Sequence, residues 1–140
     1  IEGTPGEGVA RELAREDEAG LHKAATYDAW AANCHKFADK VRADLSGSFV
    51  VAYGAAAKGN TMLNFLKFKP SVIIDDNPLK QGKFSPGVRA PVVGSDYLCS
   101  LPQDRSIVFL PLAWNLFEEI KSKILKTRNN SLDSFYNLKF

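Results

Sequence analysis

The hydrophobic pattern alternates between short apolar runs and longer amphipathic stretches. Residues 49–52 (Phe-Val-Val-Ala), 72–74 (Val-Ile-Ile) and 107–110 (Ile-Val-Phe-Leu) are continuous apolar runs bounded by turn residues. Runs of this kind predict short strands buried on both faces. Elsewhere apolar residues recur at three- and four-residue steps. The longest series is Tyr27, Trp30, Ala31, Cys34, Phe37, Ala38, Val41 and Leu45, which predicts a helix of about five turns. Thr26 stands where its N-cap is expected, and Ser46-Gly47 closes it. Its stripe is expected to pack on the sheet that follows, with Cys34 as a small core residue. Met62, Leu63, Phe65 and Leu66 predict a second helix, opened by Asn60-Thr61 and broken at Lys69-Pro70. Leu116, Ile120, Ile124 and Leu125 predict a third, whose basic carboxyl end complements the helix dipole. Residues 9–19 read as a solvated surface helix ended by Gly20. Residues 90–94 read as an edge strand, since Pro91 cannot donate to a ladder, and residues 95–98 as one helical turn.

This order of elements predicts the α/β class: a small Rossmann-like three-layer domain with a parallel sheet and right-handed crossovers, preceded by the long amphipathic helix. Residues 1–22 are expected to be a polar N-terminal segment with a short helix, and residues 23–128 the α/β domain. Residues 129–140 are expected to be a tail that supplies a last, truncated strand.

Composition narrows this further. With 140 residues, 45% hydrophobic and 24% charged, the chain suits one soluble domain with a sizeable core. A net charge of +2 gives no reason to expect nucleic acid or an anionic membrane as partner. No apolar run approaches the length of a membrane span, and the polar, acidic first residues do not form a signal peptide. Cys34 and Cys99 lie too far apart to suggest a disulfide scaffold or a zinc site. His22 and His35 have no carboxylate or cysteine at ligand spacing and read as surface residues. A cytoplasmic setting and no bound metal are expected.

The candidate chemistry centres on residues 48–61, SFVVAYGAAAKGNT. Tyr53 and Gly54 end a strand, and a helix begins soon after. In α/β proteins such a junction lies at the carboxyl end of the sheet, where ligands bind, and a helix N-terminus favours an anion. The dinucleotide fingerprint G-x-G-x-x-G becomes Gly54-Ala55-Ala56-Ala57-Lys58-Gly59, with Ala56 in place of the middle glycine. The P-loop pattern matches Gly54, Gly59 and Thr61, but Asn60 stands where its lysine must be. Neither standard loop is satisfied. The stretch is then either an anion-binding turn of another type or a turn whose small residues permit close packing. Asp75 follows Gly54 by 21 positions, where Rossmann-type domains hold a ribose hydroxyl. It is read as the functional acid, and Asp76 as turn chemistry with Asn77-Pro78. Trp114 reads as core, and Asn115 as a cap or a ligand contact. Three segments, residues 53–61, 75–78 and 111–115, follow strands and should converge at one edge.

The motifs YGAAAKGNT, IDDNPLKQGKFSPG and LPLAWN, in this order, resemble the carboxyl-terminal domain of the sugar C-methyltransferases, which act on nucleotide-linked deoxysugars. The likeness runs from about residue 21 to residue 126. It implies that Gly54, Lys58, Gly59, Asn60 and Thr61 face a substrate cleft. It also implies that Asp76, Asn77, Lys80 and Gln81 belong to a second motif of that cleft, and Trp114-Asn115 to a third. In the family a zinc-binding part and an S-adenosylmethionine domain precede this one. This chain has no glycine loop for S-adenosylmethionine, no cysteine cluster and no His-Gly-Gly segment. The resemblance therefore implies a nucleotide-sugar-binding domain that works with a methyltransferase domain. Such a domain would have no catalytic residue of its own, bind no cofactor alone and not methylate alone. The alternatives are a non-catalytic nucleotide-binding module on the same fold, or a protein-interaction module that uses the long helix.

Overall fold

Five strands form one sheet in the computed structural model of the chain, which describes residues 6–138. They are β1 (Val50–Tyr53), β2 (Val72–Ile74), β3 (Val92–Val93), β4 (Val108–Pro111) and β5 (Ser134–Phe135). Their order is β3-β2-β1-β4-β5, and every pairing is parallel. This is the expected α/β class, consistent with a Rossmann-like three-layer fold. From β1 the chain first builds outward through β2 and β3. It then returns to the other side of β1 for β4 and β5. The direction of winding therefore reverses between β1 and β4, which pair from Val50↔Val108 to Tyr53↔Pro111. The crevice at such a switch point lies outside the carboxyl ends of the strands.

All four β1 residues are buried, as a strand covered on both faces requires. Val51, Tyr53, Ile74 and Phe109 share one core cluster with Leu98 of α4 (Tyr97–Ser100) and with Ile120 and Ile124 of α5 (Phe117–Thr127). Their neighbours Val50, Ala52, Ile73 and Leu110, which point to the opposite face by the strand period, are equally buried. The β1–β2 crossover is α3 (Ala57–Leu66), which buries Met62, Leu63 and Leu66. A short 3-10 turn, Trp114–Leu116, joins β4 to α5.

The chain divides into two compact units, residues 1–37 and 38–140. The first contains α1 (Glu7–Glu18), which has no buried residue, and the start of α2 (Ala24–Leu45). Two side chains tie its connection: the Thr26 hydroxyl donates to the Gly20 carbonyl at 2.7 Å, and the Tyr27 hydroxyl to the Leu21 carbonyl at 2.7 Å. Thr26 is therefore not an N-cap. The helix already begins at Ala24, and Thr26 bonds back across the turn instead.

The expectation that the whole α2 stripe packs on the sheet also needs correction. Ala38, Val41 and Leu45 are buried, but Cys34 is only half-buried, and Tyr27 and Trp30 are 54% and 68% exposed. The 22-residue helix is about 33 Å long, whereas a four-residue strand spans about 13 Å, so a sheet of this size covers only part of the stripe.

The tail after α5 is held from inside. Arg128 and Asp133 form an ion pair with side chains 1% and 2% exposed. The guanidinium also donates to the carbonyls of Leu101 and Pro102 at 2.9 and 2.7 Å. This pairing sets the chain direction into β5, which extends the sheet beside β4.

Candidate functional site

The β1–α3 turn is shorter than the sequence suggests. Gly54, at φ +96°, turns the chain, and Ala56 is already the N-cap of α3. Lys58, Gly59, Asn60 and Thr61 therefore stand on the first turns of the helix rather than in a loop. Ala56 has no side chain that can cap, so no side chain satisfies the first N–H groups of α3. Gly59 faces the sheet: a Cβ there would meet the Leu112 Cβ at 2.6 Å. Two roles of the dinucleotide fingerprint are thus filled, the tight turn by Gly54 and the close helix–strand approach by Gly59. The middle position, where backbone meets a pyrophosphate in that fingerprint, carries the Ala56 methyl.

Asp75 and Asp76 diverge at the end of β2. Asp75 is buried, and its carboxylate is bonded on both oxygens. Oδ2 accepts from the Ala55 N–H at 2.7 Å and from Lys80 Nζ at 3.1 Å, and Oδ1 from the Asn77 N–H at 2.9 Å. Gln81 donates to the Asp75 carbonyl at 3.0 Å, and the Asn77 side chain accepts from the Leu79 N–H at 3.0 Å. Asp75, Asn77, Lys80 and Gln81 thus form one network that locks the β1–α3 turn to the end of β2.

Asp76 is half-exposed and takes other partners. It accepts from the Tyr53 hydroxyl at 3.1 Å and from Lys123 Nζ of α5 at 2.5 Å. The Lys123 hydrogen bond holds the Asp76 carboxyl below its usual range, and the same bond raises Lys123. Burial is the main cause that raises Tyr53. Tyr53 is thus a neutral donor, not an activated phenolate.

On another flank of α3, Lys58 Nζ lies 4.3 Å above the Trp114 ring and 3.5 Å from Asn115 Oδ1. Trp114 is half-buried, so it is a partly accessible platform rather than the core residue expected. A small groove of about 290 Å³ beside it is lined by Lys58, Thr61, Met62 and Phe65. The Thr61 hydroxyl itself bonds back to the Ala57 carbonyl at 3.1 Å.

A cleft of about 400 Å³ lies at this end of the sheet, between the start of α3 and the loop after β2. Ala55, Ala56, Ala57 and Asn60 form one wall, and Leu79, Lys80, Lys83 and Phe84 the other. Ile73, Val92 and Leu112 close its floor. The side-chain oxygen of Asn60 is buried without a hydrogen-bond partner.

Sequence reasoning did not single out Lys83, Phe84 or Lys123. The first two stand in the loop after β2, where an aromatic residue is the one distinguishing signal. Lys123 reaches Asp76 across 47 positions, and no local pattern marks that pairing. Among the described residues no group of three or more His, Cys, Asp or Glu is placed to hold a metal ion. No helix among them is long and apolar enough to cross a membrane.

The parallel sheet, its switch point and the cleft beside the glycine turn define a doubly wound α/β domain with an open cleft at the carboxyl edge. The chain belongs to the C-methyltransferase C-terminal domain family, whose sequence model matches residues 2–134. No curated protein matches the chain.

Proposed function

We propose that the chain binds the nucleotide-linked sugar on which a partner methyltransferase domain acts, and does not methylate alone. The observation that carries this reading is the cleft of about 400 Å³, which adjoins the start of α3 and has Lys80 and Lys83 on its wall. Clefts of this size at a sheet's carboxyl edge are where α/β domains take small ligands. A diphosphate at the α3 N-terminus would meet N–H groups that no side chain caps, with Lys58 adding charge. Asp75 is buried among three hydrogen bonds, so the half-exposed Asp76 is the more accessible carboxylate to accept a sugar or ribose hydroxyl. Trp114 and Asn115 would border the same ligand through their contacts with Lys58.

S-adenosylmethionine, the cofactor of full-length members, does not fit this site. It carries no phosphate for the α3 N-terminus, Lys80 or Lys83 to hold, and Asp75, the acid at the end of β2, is buried and already accepts three hydrogen bonds. The cofactor is assigned to the methyltransferase domain, and the setting we propose is the cytoplasm. Calorimetric titration of the chain with a thymidine-diphosphate sugar, S-adenosylmethionine and NAD in parallel tests this assignment. Binding of the sugar nucleotide alone is expected. Binding of S-adenosylmethionine by the chain would overturn it.

A second reading rests on one observation, the exposure of Tyr27 and Trp30 on α2. An interaction module would self-associate or capture a protein through that helix and ignore all three small ligands.

A further inference from the structure

Tyr53, Asp76 and Lys123 meet on the side of the sheet away from the cleft. Tyr53 shares a core cluster with Ile120 and Ile124 of α5, whereas Ile73 in the cleft floor belongs to the opposite face. None of the three lines the cleft. Exposed ion pairs are common on protein surfaces and contribute little to stability. The pair of Asp76 with Lys123 differs from them in how it is held. Tyr53 is only 4% exposed, so the core fixes its ring, and its hydroxyl donates to Asp76 Oδ1 at 3.2 Å and Oδ2 at 3.1 Å. Lys123 Nζ lies 5.7 Å from the centre of that ring while it bonds Asp76 Oδ2 at 2.5 Å. One buried tyrosine therefore sets the place of both charges. They stand at the carboxyl ends of β1 and β2, where α/β domains bind ligands.

The pair is held but not saturated. Its side chains are 49% and 48% exposed. A carboxylate has about four acceptor positions and an ammonium several N–H donors, so each keeps capacity for a ligand. The hydrogen bond between them lowers Asp76 and raises Lys123, so both stay ionised around neutral pH. Their charges cancel, and the surface they present is an acceptor beside a donor. A hydroxyl both donates and accepts, and neighbouring hydroxyls of a sugar ring answer both groups at once. An anionic substituent there would be repelled by Asp76, and a cationic one by Lys123.

We propose that Asp76 and Lys123 form a sugar subsite that selects a neutral ring: Asp76 accepts from one hydroxyl, and Lys123 donates to its neighbour. The proposal rests on the sugar-nucleotide reading above and adds the class of sugar that is taken, one with hydroxyls rather than a charged group at this position.

The test titrates three ligands calorimetrically: thymidine diphosphate, thymidine-diphosphate glucose and thymidine-diphosphate glucuronate. Each is added to the chain and to its Asp76→Asn and Lys123→Met variants, with thermal melts to show that the variants stay folded. A charge-assisted hydrogen bond is worth roughly tenfold or more in affinity. The wild-type chain is expected to bind the glucose ligand about tenfold more tightly than thymidine diphosphate, and the glucuronate no more tightly. Asp76→Asn frees Lys123 and removes the repulsion. It should lose the glucose advantage and gain about tenfold for the glucuronate, a gain that a damaged fold does not produce. Lys123→Met should lose the glucose advantage without that gain. All three proteins should hold thymidine diphosphate alike. Equal binding of thymidine diphosphate and its glucose derivative by the wild type overturns the subsite and leaves the sugar-nucleotide reading standing. Tight binding of the glucuronate by the wild type overturns the preference for a neutral ring. An unchanged order of ligands in Asp76→Asn, or a glucose advantage that survives in Lys123→Met, overturns the assignment of the pair. If no ligand binds, the sugar-nucleotide reading fails and the subsite falls with it.

Discussion

Gly54 and Gly59 bracket one turn and are constrained for different reasons. Gly54 holds a positive φ that a side chain would strain, while Gly59 keeps α3 close to Leu112. Gly59→Ala should therefore behave as overpacking and cost about 1–3 kcal/mol in urea unfolding. An unchanged midpoint would mean that helix and strand can separate without loss. Lys58 invites a test of function instead, because its contacts with Trp114 and Asn115 are exposed and few. Lys58→Ala should weaken binding of a sugar nucleotide by roughly tenfold or more, the effect of losing one charge-assisted hydrogen bond, with little change in melting temperature. Unchanged affinity would remove Lys58 from the site. The two acids show where residue-level reading reaches its limit. Position along the chain pointed to Asp75, but position does not reveal that Ala55, Asn77 and Lys80 already occupy its oxygens.

At the scale of elements, the strands and helices were largely legible because each leaves a local, periodic trace. Three buried apolar runs became β1, β2 and β4, and the helical steps became α2, α3 and α5. A short trace leaves only the tail, residues 129–140, as the place of a last strand. β5 is two residues long, and its entry is set by a buried ion pair rather than by an apolar run. Leaving Asp133 buried without its partner should cost about 3–5 kcal/mol, so Arg128→Met is expected to lower stability by that amount in chemical denaturation. A loss under about 1 kcal/mol would mean that the tail contributes little to the fold. The same tail reaches α2, where the Tyr136 hydroxyl donates to Asp44 at 2.6 Å. Burial, helped by that carboxylate, pushes Tyr136 up to about 12 from an ordinary 10.0. Because the folded pKa is the higher one, this stabilisation is complete below about pH 10 and fades as the pH rises through about 12. Melting curves should fall over that window and fall less in Tyr136→Phe, while absorbance at alkaline pH should lose its latest tyrosine step. Identical alkaline profiles for the two proteins would contradict the assignment.

At the scale of the molecule, winding reversal beside β1 gathers segments far apart in sequence at one edge. The sequence could foresee that gathering, since every candidate segment follows a strand. It could not foresee how the segments divide. Lys58, Trp114 and Asn115 meet on one flank of α3, Asn60 and Lys80 line the cleft on another, and Tyr53 joins Asp76 and Lys123. That division depends on which way each side chain leaves its element, and hydropathy does not record it. The central claim is that this edge binds a sugar nucleotide without help from another domain. Amide chemical-shift mapping of the chain during titration with a thymidine-diphosphate sugar tests it most directly. The account predicts saturable shifts at residues 54–61, 76–84 and 114–115, with the α1 amides unmoved. Shifts confined to the exposed start of α2, or no saturable shift at the carboxyl edge, would contradict it.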